Sequence, residues 1–131
     1  LKQAREISLC PVLGIGESSF LLSYLFSGET AVITTVHEAV PIIKKNIKNA
    51  GYSTLISEVI AADVEVLDLE FSPAQSAVKF AQASKALNGS TQNIILGCAG
   101  AVKIKDEFET ITGYKSFDGV TSAAKLCRAL L

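Results

Sequence analysis

The chain has 131 residues, enough for one domain with a buried core and too few for two. Its 12 Lys and Arg side chains against 13 Asp and Glu give a net charge of −1, which excludes a basic surface of the kind that binds nucleic acid. Hydrophobic residues make up 49% of the chain and charged residues 19%, which excludes a disordered chain and a coiled coil.

Short β-branched runs alternate along the chain with longer helical patterns, which is typical of βα units around a parallel sheet. The predicted fold class is therefore α/β. The predicted strands are residues 11–15, 31–35, 53–58, 65–69, 93–96 and 114–117. The predicted helices are residues 17–27, 37–50, 73–87, 102–111 and 120–131. Gly28 and Gly51 are expected to end the first two helices, and Ser72 before Pro73 to begin the third.

The sequence also bears on the cellular setting. Its most apolar stretch, residues 19–27, falls short of the ~20 residues that cross a bilayer, so no membrane span is expected. Three cysteines cannot all pair with one another and no signal segment is recognisable, which favours the cytoplasm. The chain has no methionine and begins at Leu1 within a helical pattern, so we expect it to be part of a longer protein.

Small, polar or reactive residues stand at the ends of four predicted strands. They are residues 14–18, Thr34 with Thr35, residues 97–100, and Asp118 with Gly119. Open parallel sheets bind ligands outside the carboxyl ends of their strands. The pattern therefore predicts a ligand site at that edge of the sheet.

Cys98 is the leading candidate for chemistry. It lies between Gly97 and Gly100 where a strand stops and a helix is about to start, so free backbone N–H groups and the helix dipole would stabilise a thiolate. The alternative is a small buried hydrophobic residue, which is what most free cysteines are. Cys10 and Cys127 are interpreted as structural, the second as part of the core.

The other polar candidates each have a structural alternative. Thr34 and Thr35 could donate hydroxyl hydrogen bonds to a ligand, but threonines are also ordinary strand residues. Glu17 could contact a ligand, or could simply complement the dipole at the start of its helix.

Neither a nucleotide cofactor nor a metal is expected. The turn at Gly14 and Gly16 fails as a dinucleotide fingerprint, because Ser19 stands at the third glycine position and Glu17 puts a carboxylate where a pyrophosphate would bind. His37 is the single histidine, and the cysteines show no metal-ligand spacing.

Four sequence blocks together resemble the hydantoin and allantoin racemases of the aspartate/glutamate/hydantoin racemase superfamily. They are PVLGIGE (11–17), VITT (32–35), ILGCAG (95–100) and FDGV (117–120), in the family's order and spacing. The LGCAG segment is the most specific of these. The resemblance implies two pseudo-symmetric α/β lobes with a cofactor-independent active site between them and one cysteine from each lobe.

In that arrangement one thiolate removes the Cα proton and the opposite thiol protonates the other face, so the configuration inverts. Cys98 corresponds to the second of the two cysteines. The first precedes the helix that residues 1–7 resemble, so it would lie before Leu1. The resemblance further implies that residues 1–28 and 113–131 belong to the first lobe and residues 29–112 to the second.

The resemblance also implies roles around Cys98. The backbone N–H groups of Ala99 and Gly100 would form an oxyanion hole for the enolate. Amino-acid racemases of the superfamily usually carry threonine after this cysteine, and Ala99 here fits a neutral cyclic amide better than a free amino acid. The expected substrate-binding residues are Glu17, Thr34, Thr35, Ala99, Gly100 and Asp118.

Two other functions remain open at this stage. One is a decarboxylase of the same superfamily that works through a single cysteine, and the other is a domain that binds a small cyclic metabolite without turning it over. The expected partners are the cyclic amide substrate and the preceding part of the same protein, with a homo-oligomer left open.

Overall fold

The structure is a computed structural model that describes residues 1–130. Its helices and strands alternate as the sequence predicts for an α/β protein. In chain order the elements are α1 (Lys2–Ile7), α2 (Ile15–Tyr24), β1 (Glu29–Thr34), α3 (Ala39–Ala50), β2 (Ile56–Ala61), α4 (Asp68–Phe71), α5 (Pro73–Ser84), β3 (Thr91–Leu96), a 3₁₀ helix (Ala99–Ile104), α6 (Lys105–Thr112), β4 (Lys115–Asp118) and α7 (Gly119–Leu130).

The strands form one four-stranded parallel sheet in the order β2-β1-β3-β4. Val32 in the middle of β1 lies beside Val59 of β2 and Ile95 of β3, and Ile95 in turn lies beside Phe117 of β4. Because all four strands are parallel, their carboxyl ends meet at one edge, where the residues that follow them can share a site. The predicted fold class is confirmed.

Apolar layers cover both faces of the sheet, since successive side chains of a strand point to opposite sides. One layer contains Ile94 and Leu96 of β3 with the fully buried Phe80 of α5. The other contains Ile95 of the same strand with Phe20 of α2. Successive apolar residues of β3 therefore pack into the two layers on opposite faces of the sheet.

Glu109 joins α6 to β4. Its Oε1 atom accepts hydrogen bonds from Lys105 Nζ at 2.8 Å, from the Ser116 amide at 2.8 Å and from the Ser116 hydroxyl at 2.9 Å. Burial raises the pKa of Glu109, but the hydrogen bonds from Lys105 and Ser116 outweigh it and leave the pKa below its ordinary value. The contact attaches the edge strand to the helix before it.

Two predicted strands are wrong. Residues 11–14 are not paired in the sheet, and the extended Gly14 precedes α2 as its N-cap. Residues 65–69 form a turn that runs into α4, and the Asp68 amide bonds to the Glu65 carbonyl at 2.9 Å. Only Leu69 of that run is buried, and the chain before it bends at Asp63, which takes a left-handed backbone (φ 54°).

Smaller differences concern boundaries and the outer cysteines. The weak strand at 53–58 begins three residues later than predicted, at Ile56. The helix predicted at 102–111 is two segments, the 3₁₀ helix and α6. Cys10 and Cys127 are both exposed, so the expectation that Cys127 fills the core is wrong. Within residues 1–130, every helix is too short or too polar to traverse a bilayer.

Candidate active site

A cavity of about 980 Å³ lies between the sheet and the helices α1, α2 and α3. Its apolar floor is made by Val32 and Ile95 of the two central strands. Its rim includes the stretch 96–99 at the carboxyl end of β3, and Leu1, Lys2 and Arg5 of the α1 segment also line it. The volume is in the range of small-molecule sites.

Cys98 stands on the rim directly after β3. Its backbone is extended (φ −135°, ψ 141°), and it is the N-cap of the 3₁₀ helix, whose first bond runs from the Ala101 amide to the Cys98 carbonyl at 3.0 Å. The N–H groups of Ala99 and Gly100 come before that bond, so the helix itself does not use them. The thiol is free and half-buried, as a group that must meet a small molecule requires.

Gly97 sets the position of this turn. Its amide donates to the Ile33 carbonyl at 2.8 Å and so extends the β1–β3 pairing by one residue. A Cβ atom at Gly97 would lie 2.8 Å from Val32 Cγ1 and 3.3 Å from Thr34 Cβ, which is too close for a larger residue. Glycine at this position therefore lets the chain that carries Cys98 approach β1.

Thr34 and Thr35 lie behind the cavity and do not line it. Both are at least 97% buried. The Thr34 hydroxyl donates to the Gly97 carbonyl at 3.3 Å, and the Thr34 and Thr35 carbonyls accept from the amides of Ala62 and Val64. The structure thus places the two threonines next to the Cys98 turn, where they hold neighbouring chain segments together.

Glu17 lines the cavity in the first turn of α2, as its place in the sequence suggests, but its carboxylate is already engaged. Arg5 Nη2 lies 2.5 Å from Oε2 and Nη1 lies 3.4 Å from Oε1. Arg5 Nε also donates to the Val12 carbonyl at 3.1 Å. The hydrogen bond that Arg5 donates to the Glu17 carboxylate raises the pKa of Arg5 above its ordinary value. Sequence reasoning missed Arg5, because nothing in a helical run of seven residues identifies a partner twelve positions on.

Asp118 and Gly100 also lie outside the cavity lining. Asp118 is 1% exposed, and its Oδ1 atom accepts from the Thr121 amide at 2.7 Å, which caps the first turn of α7. Its other oxygen is buried without a hydrogen-bond partner among the described residues. Gly100 leaves room for Leu69, whose Cδ1 atom would lie 3.1 Å from an added Cβ.

Metal binding finds no support in the side chains. Across residues 1–130, His, Cys, Asp and Glu form no group of three or more that could hold a metal ion. His37 contacts Asp63 at 2.9 Å, and both side chains are mostly exposed.

Comparison with known proteins decides the family. The model of the family described as Asp/Glu/Hydantoin racemase matches residues 1–127. The chain belongs to this family. It is 36% identical to the hydantoin racemase of Rhizobium meliloti over 134 aligned positions, and 26% identical to the hydantoin racemase of a Pseudomonas species. The chain spans about half the length of these relatives, 55% and 53%.

Solved structures agree on the fold. The allantoin racemase of Pseudomonas fluorescens superposes with a TM-score of 0.91 at 28% identity, covering 98% of this chain and 56% of that one. The glutamate racemase of Thermus thermophilus, at 19% identity, superposes with a TM-score of 0.68 over 98% of this chain and 49% of that one. Racemases with different substrates thus share the fold of this chain.

Proposed function

We propose that this chain supplies Cys98 as one of the two acid/base groups of a cofactor-independent racemase acting on 5-substituted hydantoins or allantoin. The observation that carries the proposal is the position of Cys98, a half-buried free thiol on the rim of a cavity at the carboxyl edge of the sheet, in a chain of the racemase family. The intact site would have two lobes, with residues 29–112 in the second and with the other cysteine in a segment before Leu1.

The reaction removes one proton from the Cα atom of the substrate and adds another proton to the opposite face of the same atom. A thiolate on one side of the ring takes the Cα proton and becomes a thiol, and the electron pair of the broken C–H bond moves into the adjacent carbonyl as an enolate. The thiol on the other side then protonates Cα and becomes a thiolate. Configuration inverts, the two sulfur atoms exchange protonation states, and no oxidant or reductant is consumed.

The enolate oxygen needs hydrogen-bond donors placed where its charge develops. The N–H group of Ala99, which lines the cavity, meets this need, because it precedes the first bond of the 3₁₀ helix and follows Cys98 directly in the chain. Gly100, the expected second donor, lies outside the lining. Thr34 contributes indirectly, since its hydroxyl holds the Gly97 carbonyl just before the cysteine.

A neutral substrate fits the charges of the site better than a free amino acid does. A free amino acid carries a carboxylate, which arginine would bind with its two parallel N–H groups. Two cations line the cavity. Glu17 already occupies the donors of Arg5, and Lys2 offers a single ammonium without that planar pair of donors. Ala99, next to Cys98, adds no hydroxyl that could bind a carboxylate.

Thiol chemistry of this kind needs cysteines that stay reduced. All three cysteines of the chain are free in the structure. We therefore place the protein in the cytoplasm, where thiols are kept reduced.

The test is racemisation by the chain alone and by a chimera in which the chain replaces its aligned segment of the Rhizobium meliloti hydantoin racemase. Pure enantiomers of a 5-substituted hydantoin and of allantoin are followed by chiral chromatography, and Cα deuterium incorporation is followed by NMR in heavy water. We expect the chimera to racemise at least one of them and the Cys98→Ser variant to lose racemisation. Cys127→Ser, which changes an exposed thiol on α7, is the matched control and should retain it.

The outcomes separate the proposal from its rivals. Racemisation that survives Cys98→Ser removes Cys98 from the mechanism. Binding of the cyclic amide with no deuterium exchange would identify a binding domain instead of an enzyme. Release of carbon dioxide from a disubstituted malonate, with no racemisation, would identify a decarboxylase.

A further inference from the structure

Helix α1 is not held in place by burial. None of its residues is buried, and Ile7 near its end is 86% exposed. Even so, Leu1, Lys2 and Arg5 line the same cavity as Cys98. A segment that forms a cavity wall without a core of its own needs some other attachment.

Arg5 provides that attachment. Its guanidinium binds both carboxylate oxygens of Glu17 and donates from Nε to the Val12 carbonyl. One side chain thus connects α1 to the first turn of α2 and to the extended chain between them. Lysine could not reproduce this geometry, because it offers a point charge in place of a planar fork of donors.

Leu1 adds a steric contact between α1 and α2. We call this contact, together with the Arg5–Glu17 ion pair, the joint. The Leu1 side chain lies where the Cβ atom of any residue larger than glycine would stand at position 14. Gly14 is buried and is the N-cap of α2. The start of α1 therefore lies directly against the start of α2, and the Arg5–Glu17 ion pair is the second contact between the two helices.

We propose that Arg5 and Glu17 are positioning residues whose ion pair holds α1 against the start of α2 and so fixes the α1 wall of the cavity that Cys98 also lines. This inference rests on the proposed function in taking the cavity as the active site. It changes the role of Glu17 from a substrate contact to an anchor.

The first experiment measures how often α1 opens and how fast Cys98 reacts in the 131-residue chain, without any substrate. Solvent exchange of the Arg5 and Ser8 amides, which bond within α1 to the Leu1 and Ala4 carbonyls, is followed by NMR, and iodoacetamide labelling of Cys98 by mass spectrometry. An exposed ion pair with two parallel contacts shifts an opening equilibrium by about fivefold. Arg5→Ala and Glu17→Ala should therefore each accelerate both readouts by about that factor.

Controls separate positioning from a general loss of stability. The exchanged pair Arg5→Glu with Glu17→Arg should return both rates towards wild type, whereas Arg5→Lys should restore them only in part. Glu6→Ala changes a charge on the same helix that makes no ion pair within residues 1–130, and should leave both rates unchanged. The labelling rate of Cys127 and the midpoint of thermal unfolding should not move in any variant.

Wild-type rates in Arg5→Ala and Glu17→Ala, or a failure of the exchanged pair to rescue, would overturn the inference. Equal acceleration at Cys127 would also overturn it, because the effect would then be global. Neither readout involves a substrate. A chain that shows these rate changes but does not racemise would therefore support the joint and contradict the proposed function. A chimera that racemises normally with Arg5→Ala would contradict the positioning role of the joint and support the proposed function.

Discussion

Gly97→Ala tests whether the close approach of β3 to β1 sets the position of Cys98. The added Cβ would lie 2.8 Å from Val32 Cγ1, 3.3 Å from Ile43 Cδ1 and 3.3 Å from Thr34 Cβ. Gly97 does not have a left-handed backbone, so contact and not backbone strain determines the cost. The 2.8 Å bond from its amide to the Ile33 carbonyl opposes any movement of the strand away from the crowding.

The magnitude follows from two opposing effects. Overpacking a filled core costs about 1–3 kcal/mol. Replacing glycine by alanine lowers the entropy of the unfolded chain and returns about 0.4–1 kcal/mol. Because the closest neighbour is a buried side chain on the adjacent strand, we expect a net loss of about 1–2 kcal/mol. For a domain of this size that is roughly 4–8 °C in the midpoint of thermal unfolding.

The assay is urea unfolding followed by circular dichroism, with Gly89→Ala as the matched control. A Cβ at Gly89 meets nothing within 4 Å, so this variant should be as stable as wild type or slightly more stable. The reasoning is refuted if Gly97→Ala matches the free energy of unfolding of wild type, or if Gly89→Ala loses as much as Gly97→Ala does.

Three further variants test other parts of the structure by the same unfolding measurements. Phe80→Ala should cost about 3–5 kcal/mol because it empties a fully buried site, while Phe71→Ala, 77% exposed, should change stability by less than about 0.5 kcal/mol. Asp118→Ala should cost about 1–2 kcal/mol because the Thr121 amide loses its cap, and Asp118→Asn should retain most of that energy. Glu109→Gln should cost about 1–2 kcal/mol at neutral pH. Because folding lowers the pKa of Glu109, this difference in the free energy of unfolding should shrink as the pH falls below 4.5, and a difference that grows on acidification would contradict it.

The sheet was predictable where strands are buried on both faces. The runs at 31–35 and 93–96 are mostly apolar or β-branched, the run at 114–117 carries two aromatic residues, and all three are strands within a few residues of those bounds. The run at 65–69 also carries three apolar residues but has only one buried side chain. Composition alone did not distinguish a strand from a loop that inserts a single leucine under the 3₁₀ helix.

The site was predictable as far as strand ends determine it. Cys98 lines the cavity at the carboxyl end of β3, as the common edge of a parallel sheet suggests. Glu17 lines it too, but from a helix that follows an unpaired segment and not a strand. The roles of Thr34 and Asp118 depend on the direction of a hydroxyl and on burial, which a sequence does not show. The sequence does not predict the role of Arg5, because its contact with Glu17 exists only once α1 folds back over α2.

The order of the strands also has a consequence for how the chain folds. Within residues 1–130 every pair of neighbouring strands is parallel, so none is joined by a hairpin. The two central strands meet at Val32 and Ile95, which are 95 − 32 = 63 residues apart. The chain must close that long loop before the centre of the sheet gains a single hydrogen bond, so its folding is dominated by non-local contacts and should take milliseconds to seconds. During synthesis, β1 therefore waits for its central partner β3 until more than sixty further residues have left the ribosome.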